Sequence, residues 1–220
     1  SLFFLASAEL YLDNYERAAA LHEESLQLFR ALGDQLWYGH VLLERGYAAR
    51  LQGDNAGAAA RDAKSLDLFQ DLGNMWGIAA VQLSLGYQAL AQGDAPRAAI
   101  CFAESLVGYR ELGHQEGISL CLAGAAGAMG NMGQPVRAAQ LFGAAEGLRA
   151  RIGALGQPSE RAVYEESVAS VRAALGENAF SAAWAEGRAM TLEQAIAEAE
   201  CWRSDLETAA IQPKPAQKSE

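Results

Sequence analysis

Four glycines, Gly33, Gly73, Gly113 and Gly153, recur at a constant interval of forty residues. Each ends a similar phrase: LFRALGD, LFQDLGN, GYRELGH and, in a worn copy, LRARIGA. A fixed period of roughly twenty to fifty residues marks stacked structural repeats, in which each unit buries its apolar face on its neighbours. A second set, Gly53, Gly93 and Gly133, divides each interval in half, and LDNY at Leu12–Tyr15 holds the equivalent place upstream.

Between these stops, apolar residues recur at helical spacing, as in Leu66, Leu68, Phe69 and Leu72, with small Ala and Ser residues beside them. Each half-interval therefore predicts one helix. Glycine just past a helix end adopts the left-handed conformation that satisfies the last carbonyls, and the Asp or Asn that follows caps the next helix. Pro96 and Pro135 suit first helical turns, where the missing N–H costs nothing. The pattern predicts helices near 2–12, 15–32, 36–52, 55–72, 76–92, 95–112, 116–132 and 135–152. After Gly153 the register is lost, but helices are expected to begin near Ser159, Glu177 and Thr191, the last with a Thr-x-x-Gln box. Residues 1–153 thus form four repeats, 154–210 a helical cap over the last repeat's apolar face, and 211–220 a linker or tail.

Composition narrows the classes. Half of the 220 residues are hydrophobic, which excludes general disorder, yet no apolar run reaches the roughly 20 residues of a membrane span. A net charge of −10 repels phosphate backbones, so direct nucleic-acid binding by this segment is not expected. Three cysteines, Cys101, Cys121 and Cys201, are too few and odd in number for a disulfide framework, and no leader pattern opens the sequence; a cytoplasmic setting is expected. The sequence starts without Met inside an apolar helical stretch, SLFFLASAELYL, as a fragment of a longer protein would.

The units resemble tetratricopeptide repeats. The likeness is carried by Gly46 and Gly86 near the end of the first helix, by Ala18, Ala58, Ala98 and Ala138 early in the second, by Phe102 and Phe142, and by Ser25, Ser65, Ser105 and Ala145 three residues later. The departures are a longer period than the usual one of about thirty-four, and Leu-Gly in place of the closing proline. The resemblance implies an all-α, right-handed superhelix of helix pairs with a C-terminal helical cap. RAAQLFGAAEGLRARIG from Arg137, with ERAVYEESVASVRAALGENAFSAAWAEGRAMTLEQAIAEA ending at Ala199, resembles the end of the repeat region in large bacterial signalling proteins. In those, the repeats follow an ATP-binding module, and a LuxR-type helix-turn-helix often comes after them. The implied role is a protein-interaction or ligand-sensing module of a LuxR-type transcriptional regulator. Two alternatives stand beside it: a free-standing scaffold, and the regulatory arm of a cyclase- or kinase-linked protein.

The chemistry-bearing residues fit no reaction. G-x-x-x-x-G-K-[ST] has no match. His22, His40 and His114 are isolated, with no metal-ligand spacing, and Glu23, Glu24, Glu165 and Glu166 read as solvated helix faces. Cys101 and Cys121, on consecutive helices, could touch, but nothing basic adjoins them to activate a thiol. No enzyme activity, cofactor or metal is expected. A repeat stack instead offers a concave groove lined by first helices. The register assigns to it Tyr11, His40, Leu43, Glu44, Tyr47, Arg50, Leu83 and Tyr87, together with Phe3, Ser7, Leu10 and Ala80. The expected occupant is a protein or peptide, or a small inducer. Arg50 is expected to clamp a partner's carboxylate or phosphate as a surface residue, and Trp37 and Trp76 to serve packing. Oligomeric state is left open.

Overall fold

A computed structural model of the chain describes residues 2–12, 14–153 and 158–211, the side chains of 158–160 and 203–211 excepted. The expected tail from 212 to 220 lies outside the described residues. Among those described, every regular element is a helix: α1 (Leu2–Tyr11), α2 (Tyr15–Leu32), α3 (Gln35–Leu51), α4 (Asn55–Asp71), α5 (Met75–Ala91), α6 (Ala95–Glu111), α7 (Gln115–Asn131), α8 (Pro135–Ile152), α9 (Pro158–Leu175), α10 (Glu177–Arg188) and α11 (Leu192–Ile211). Through α8, the bounds fall within one residue of the expected ones. Hairpins α1–α2, α3–α4, α5–α6 and α7–α8 stack in order to form a helical-repeat superhelix, and consecutive first helices also touch.

The turns work as their chemistry requires. All seven repeat glycines are left-handed, with φ from 62° at Gly73 to 80° at Gly53. Asp34 then accepts from the Trp37 amide at 3.1 Å, Asp54 from Gly57 at 2.8 Å, Asn74 from Gly77 at 2.6 Å and Asp94 from Arg97 at 3.2 Å. His114 fills the same role, its Nδ1 accepting from the Gly117 amide at 3.0 Å.

One register position organises the interior. Residues 22, 62, 102 and 142 are equivalent, all on second helices and all buried: His22, Asp62, Phe102 and Phe142. Phe102 inserts between its own hairpin's first helix at Gly86, where a Cβ would come within 2.7 Å of the ring, and the next hairpin's first helix at Gly124, where a Cβ would collide with it. Tyr87 meets the same ring edge-on at 5.0 Å. Phe142 is met by Tyr164 edge-on at 5.4 Å and by Trp184 stacked at 6.2 Å. In the first two hairpins the insert is polar, and the facing register positions are Glu44 and Ser84 instead of Gly124. The core follows this division. One continuous apolar cluster runs from Ala79 to Trp202, whereas the α1–α4 region holds two small clusters, around Phe3 and Val41 and around Leu10 and Ala18.

Ser65 and Ser105 each bond a first-helix carbonyl, Gly39 at 2.9 Å and Ala79 at 2.7 Å. The buried Ser25 hydroxyl, at the equivalent place in the first hairpin, has no partner among the described residues.

The last three helices do more than cover an end. Helix α10 crosses α8 so closely that a Cβ at Gly143 would strike the Trp184 carbonyl and one at Gly187 the Gln140 carbonyl. Trp184 Nε1 donates to Glu146 at 2.6 Å, and Thr191 and Gln194 cap α11 reciprocally. Helix α9 folds back across α7 and α5 on the first-helix side, packing Val171 where Gly130 leaves room. Helix α11 returns along α6 and α8, held by Arg110–Glu200 and by Arg137–Glu198 at 2.5 Å.

His22 is fully buried, with neither ring nitrogen bonded among the described residues. Burial, aided by the Arg45 charge, lowers its pKa from 6.5 to about 4. Its folded pKa lies below its unfolded one, so it adds stability above pH 6.5 that is lost as pH falls toward 4. The loss reaches about 3 kcal/mol. His22→Leu should be at least as stable as the native chain at neutral pH and should lack this acid loss; urea unfolding followed from neutral pH down to about pH 4 checks both. An unchanged pH profile would exclude His22 as its source.

Candidate functional site: a pocket on the first-helix side

Helices α3, α5 and α7 present equivalent stripes to one side of the superhelix, and α9 crosses part of that surface. Between them lies a pocket of about 430 Å³. That volume falls in the range of small-molecule sites, about 300–1,000 Å³. Leu43, Glu44, Tyr47 and Arg50 come from α3, and Ala80, Leu83 and Tyr87 from α5. Tyr11 and His40 are not part of its wall. Tyr11 is exposed at the end of α1, and His40 sits among the tilted rings of Trp37 at 5.2 Å, Phe69 at 5.0 Å and Trp76 at 5.2 Å. Phe3 packs on Trp37 and Leu10 is buried with Ala18 and Ala48, so α1 gives these to the core.

Several wall residues were not expected there: Trp76, Tyr109, His114, Glu116 and, from α9, Ala162 and Val163. Trp76 continues the stripe of Ala80, Leu83 and Tyr87 one turn toward the helix start, and Glu116 is its register equivalent on α7. Extending the stripe by one turn finds both. Trp37, stacked on Phe29 at 6.0 Å, serves packing as expected; Trp76 instead borders the pocket, more than a third exposed.

Arg50 requires a correction. It is not a surface residue: its side chain is 16% exposed, Nη1 pairs with Asp62 at 2.6 Å, and Nη2 donates to Ser84. Ser84 in turn donates to Asp62 Oδ2 at 3.3 Å. Asp62 is wholly buried in the place that Phe102 fills one repeat later, and burial pushes its carboxyl above the usual range while Arg50 pulls it back. The guanidinium is therefore the counter-charge of a core carboxylate, which explains why it cannot be spent freely on a partner.

The tyrosines also serve the core. Tyr87 is buried and donates to the Leu120 carbonyl at 3.0 Å, while Arg50 lies over the Tyr47 ring at 6.0 Å. Glu44 is different. Burial raises its pKa from 4.5 to about 7, and among the described residues its hydrogen-bond neighbour is the Ser7 hydroxyl at 3.4 Å. That hydroxyl donates to Glu44 Oε2 and also lies 3.2 Å from the Phe3 carbonyl, a competing acceptor for its one proton. Elsewhere, Cys121 donates to Ser105 Oγ at 3.1 Å, burial raises the Cys101 pKa, and all three cysteines are free thiols. No helix among the described residues is long and apolar enough to cross a membrane.

No family model matches the chain. Over 84 residues, 38% of its length, it is 39% identical to proteins of Mycobacterium bovis and Mycobacterium tuberculosis named "Putative HTH-type transcriptional regulator". The matched stretch spans 9% of each relative's length. The likeness is to regulators far longer than this chain.

Two outcomes follow from the wall chemistry. Arg50→Ala strands a buried carboxylate and should cost about 3 kcal/mol in urea unfolding, whereas Arg50→Leu combined with Asp62→Leu should return close to native stability. A neutral Arg50→Ala would show that the pair does not support the fold. Glu44 binds its proton more tightly folded than unfolded, so it lowers stability as pH rises from 4.5 through about 7. Glu44→Gln should therefore raise Tm near pH 8 and leave it unchanged near pH 4.5, read by thermal melts at the two values.

Proposed function

We propose that the chain is a non-catalytic sensing segment of a longer, cytoplasmic transcriptional regulator of the LuxR type, and that the pocket bounded by α3, α5, α7 and α9 receives its signal. The observation that carries this reading is the pocket itself. It draws on three successive repeats and on the helix that departs from the repeat register, so a single occupant would touch all four elements at once. Its polar groups are arranged for holding, not for reaction: His114 Nδ1 caps α7, Tyr87 bonds a carbonyl, and Arg50 neutralises Asp62. The names of the relatives support a regulator, and their length leaves room for a DNA-binding part elsewhere. The −10 charge of this segment is in keeping with that division of labour.

Ala162 is exposed at the pocket's edge, so a large side chain there obstructs the mouth without burdening the core. In cells carrying the longer protein, Ala162→Trp should alter the transcripts that deletion of the gene alters, with the protein's abundance unchanged. Transcript levels identical to the native strain, where deletion changes them, would overturn the sensing role.

A further inference from the structure

His114 departs from the pattern of the turns in a way that capping alone does not require. Asp34 and Asn74 stand at the equivalent places, and each caps the next first helix with a side-chain oxygen. His114 caps α7 with Nδ1, which accepts from the Gly117 amide at 3.0 Å. Accepting there leaves Nδ1 without a proton, so the neutral ring carries its proton on Nε2. One face of the ring is taken by Tyr109, stacked at 5.0 Å. The Nε2–H edge is not taken: it has no partner among the described residues, and it is not sealed in the core, since His114 is half-buried and lines the pocket. A donor of fixed orientation therefore stands at the pocket, held by the same ring that starts α7.

Trp76 adjoins this donor. Its indole meets the His114 ring edge-on, 6.3 Å between centres, and is more than a third exposed on the same wall. An anion is poorly served here. Arg50, the one arginine or lysine among the described wall residues, has both arms of its guanidinium taken, by Asp62 and by Ser84. Glu44 and Glu116 stand in the wall without an ion-pair partner among the described residues, in a chain of net charge −10. The positive end of the α7 dipole, which would otherwise favour an anion beside His114, already has Glu116 in its first turn.

Resting on the reading of this pocket as the receiving site, we propose that it takes a neutral molecule with a planar apolar body and a carbonyl-type acceptor, the body lying against Trp76 and the acceptor taking the Nε2–H of His114. The volume of about 430 Å³ suits one ring with a short substituent. Occupancy also reaches the fold. An acceptor on Nε2–H shifts electron density toward Nδ1 and tightens its bond to the Gly117 amide, because linked hydrogen bonds polarise one another. The occupant thereby firms the start of α7, the helix on which α8, α9 and α11 pack.

The test uses the 220-residue chain near pH 8 and three planar probes of one shape: acetophenone; α-methylstyrene, in which a methylene replaces the carbonyl oxygen; and the anion benzoate. Calorimetry gives their affinities for the native chain and for His114→Asp, which keeps a capping oxygen like that of Asp34 but has no donor. With His114→Asp, acetophenone should lose about tenfold in affinity, the effect of one hydrogen bond, while α-methylstyrene is unaffected and urea unfolding remains close to native. Benzoate should bind the native chain more weakly than acetophenone, and Trp76→Ala should weaken both neutral probes. Nitrogen NMR of the native chain should find His114 protonated at Nε2, with that resonance moved by acetophenone and not by α-methylstyrene. An Nε2 resonance unmoved by saturating acetophenone, His114→Asp affecting both neutral probes alike or neither, or benzoate binding as tightly as acetophenone would overturn the assignment and leave the pocket as a receiving site. No saturable binding of any probe would overturn the assignment too; whether the receiving role falls with it is then read from the Ala162→Trp transcripts, which do not depend on ligand class.

Discussion

The fold depends on one side chain per repeat fitting where two first helices leave a gap. Phe102 shows the requirement plainly: Gly86 in its own hairpin and Gly124 in the next have no Cβ because the ring occupies that space. A buried phenylalanine at such a joint contributes roughly 2–3 kcal/mol through area alone, and it joins two hairpins at once. Stacking in a repeat protein is a sum of such joints. Where the joint is dry, as at Phe102 and Phe142, the apolar cluster passes through it without a break. Where it is His22 or Asp62, the cluster is divided.

The polar joints are also what shape the pocket wall. A glycine facing the insert, as at Gly124, leaves the first helix smooth, whereas the equivalent Ser84 carries a hydroxyl that completes the Arg50–Asp62 pair. Glu44, one repeat earlier, carries an acid into the same wall. The site's electrostatics therefore arise where the first two joints, His22 facing Glu44 and Asp62 facing Ser84, depart from the third, Phe102 facing Gly124. Local exceptions to an otherwise consistent pattern are where function is expected to be found.

Much of the architecture was legible in advance because turn chemistry is local. Gly33 and Asp34 determine between them where α2 stops and α3 starts, and no distant contact is needed to read that. The stripe of first-helix residues could be read from period alone for the same reason. Three things could not. Arg50 looked exposed because a sequence does not show that the residue twelve positions later is a buried acid. Tyr11 and His40 share the stripe's spacing, yet α1 ends at Tyr11 and the His40 ring turns in between Trp37 and Trp76. The wall formed by Ala162 and Val163 had no signal, since α9 follows no repeat and its position depends on Gly127 and Gly130 leaving room on α7.

The divided core sets how the molecule loses structure. Helices α5 to α11 share one apolar cluster, while α1 to α4 hold theirs in separate pieces, with an ion pair and a hydroxyl at the joint to α5. Sub-global opening in such a chain is expected to begin at the poorly joined end. A substitution in α2 is then expected to be felt first in the α1–α4 end, and one in α7 throughout the shared cluster.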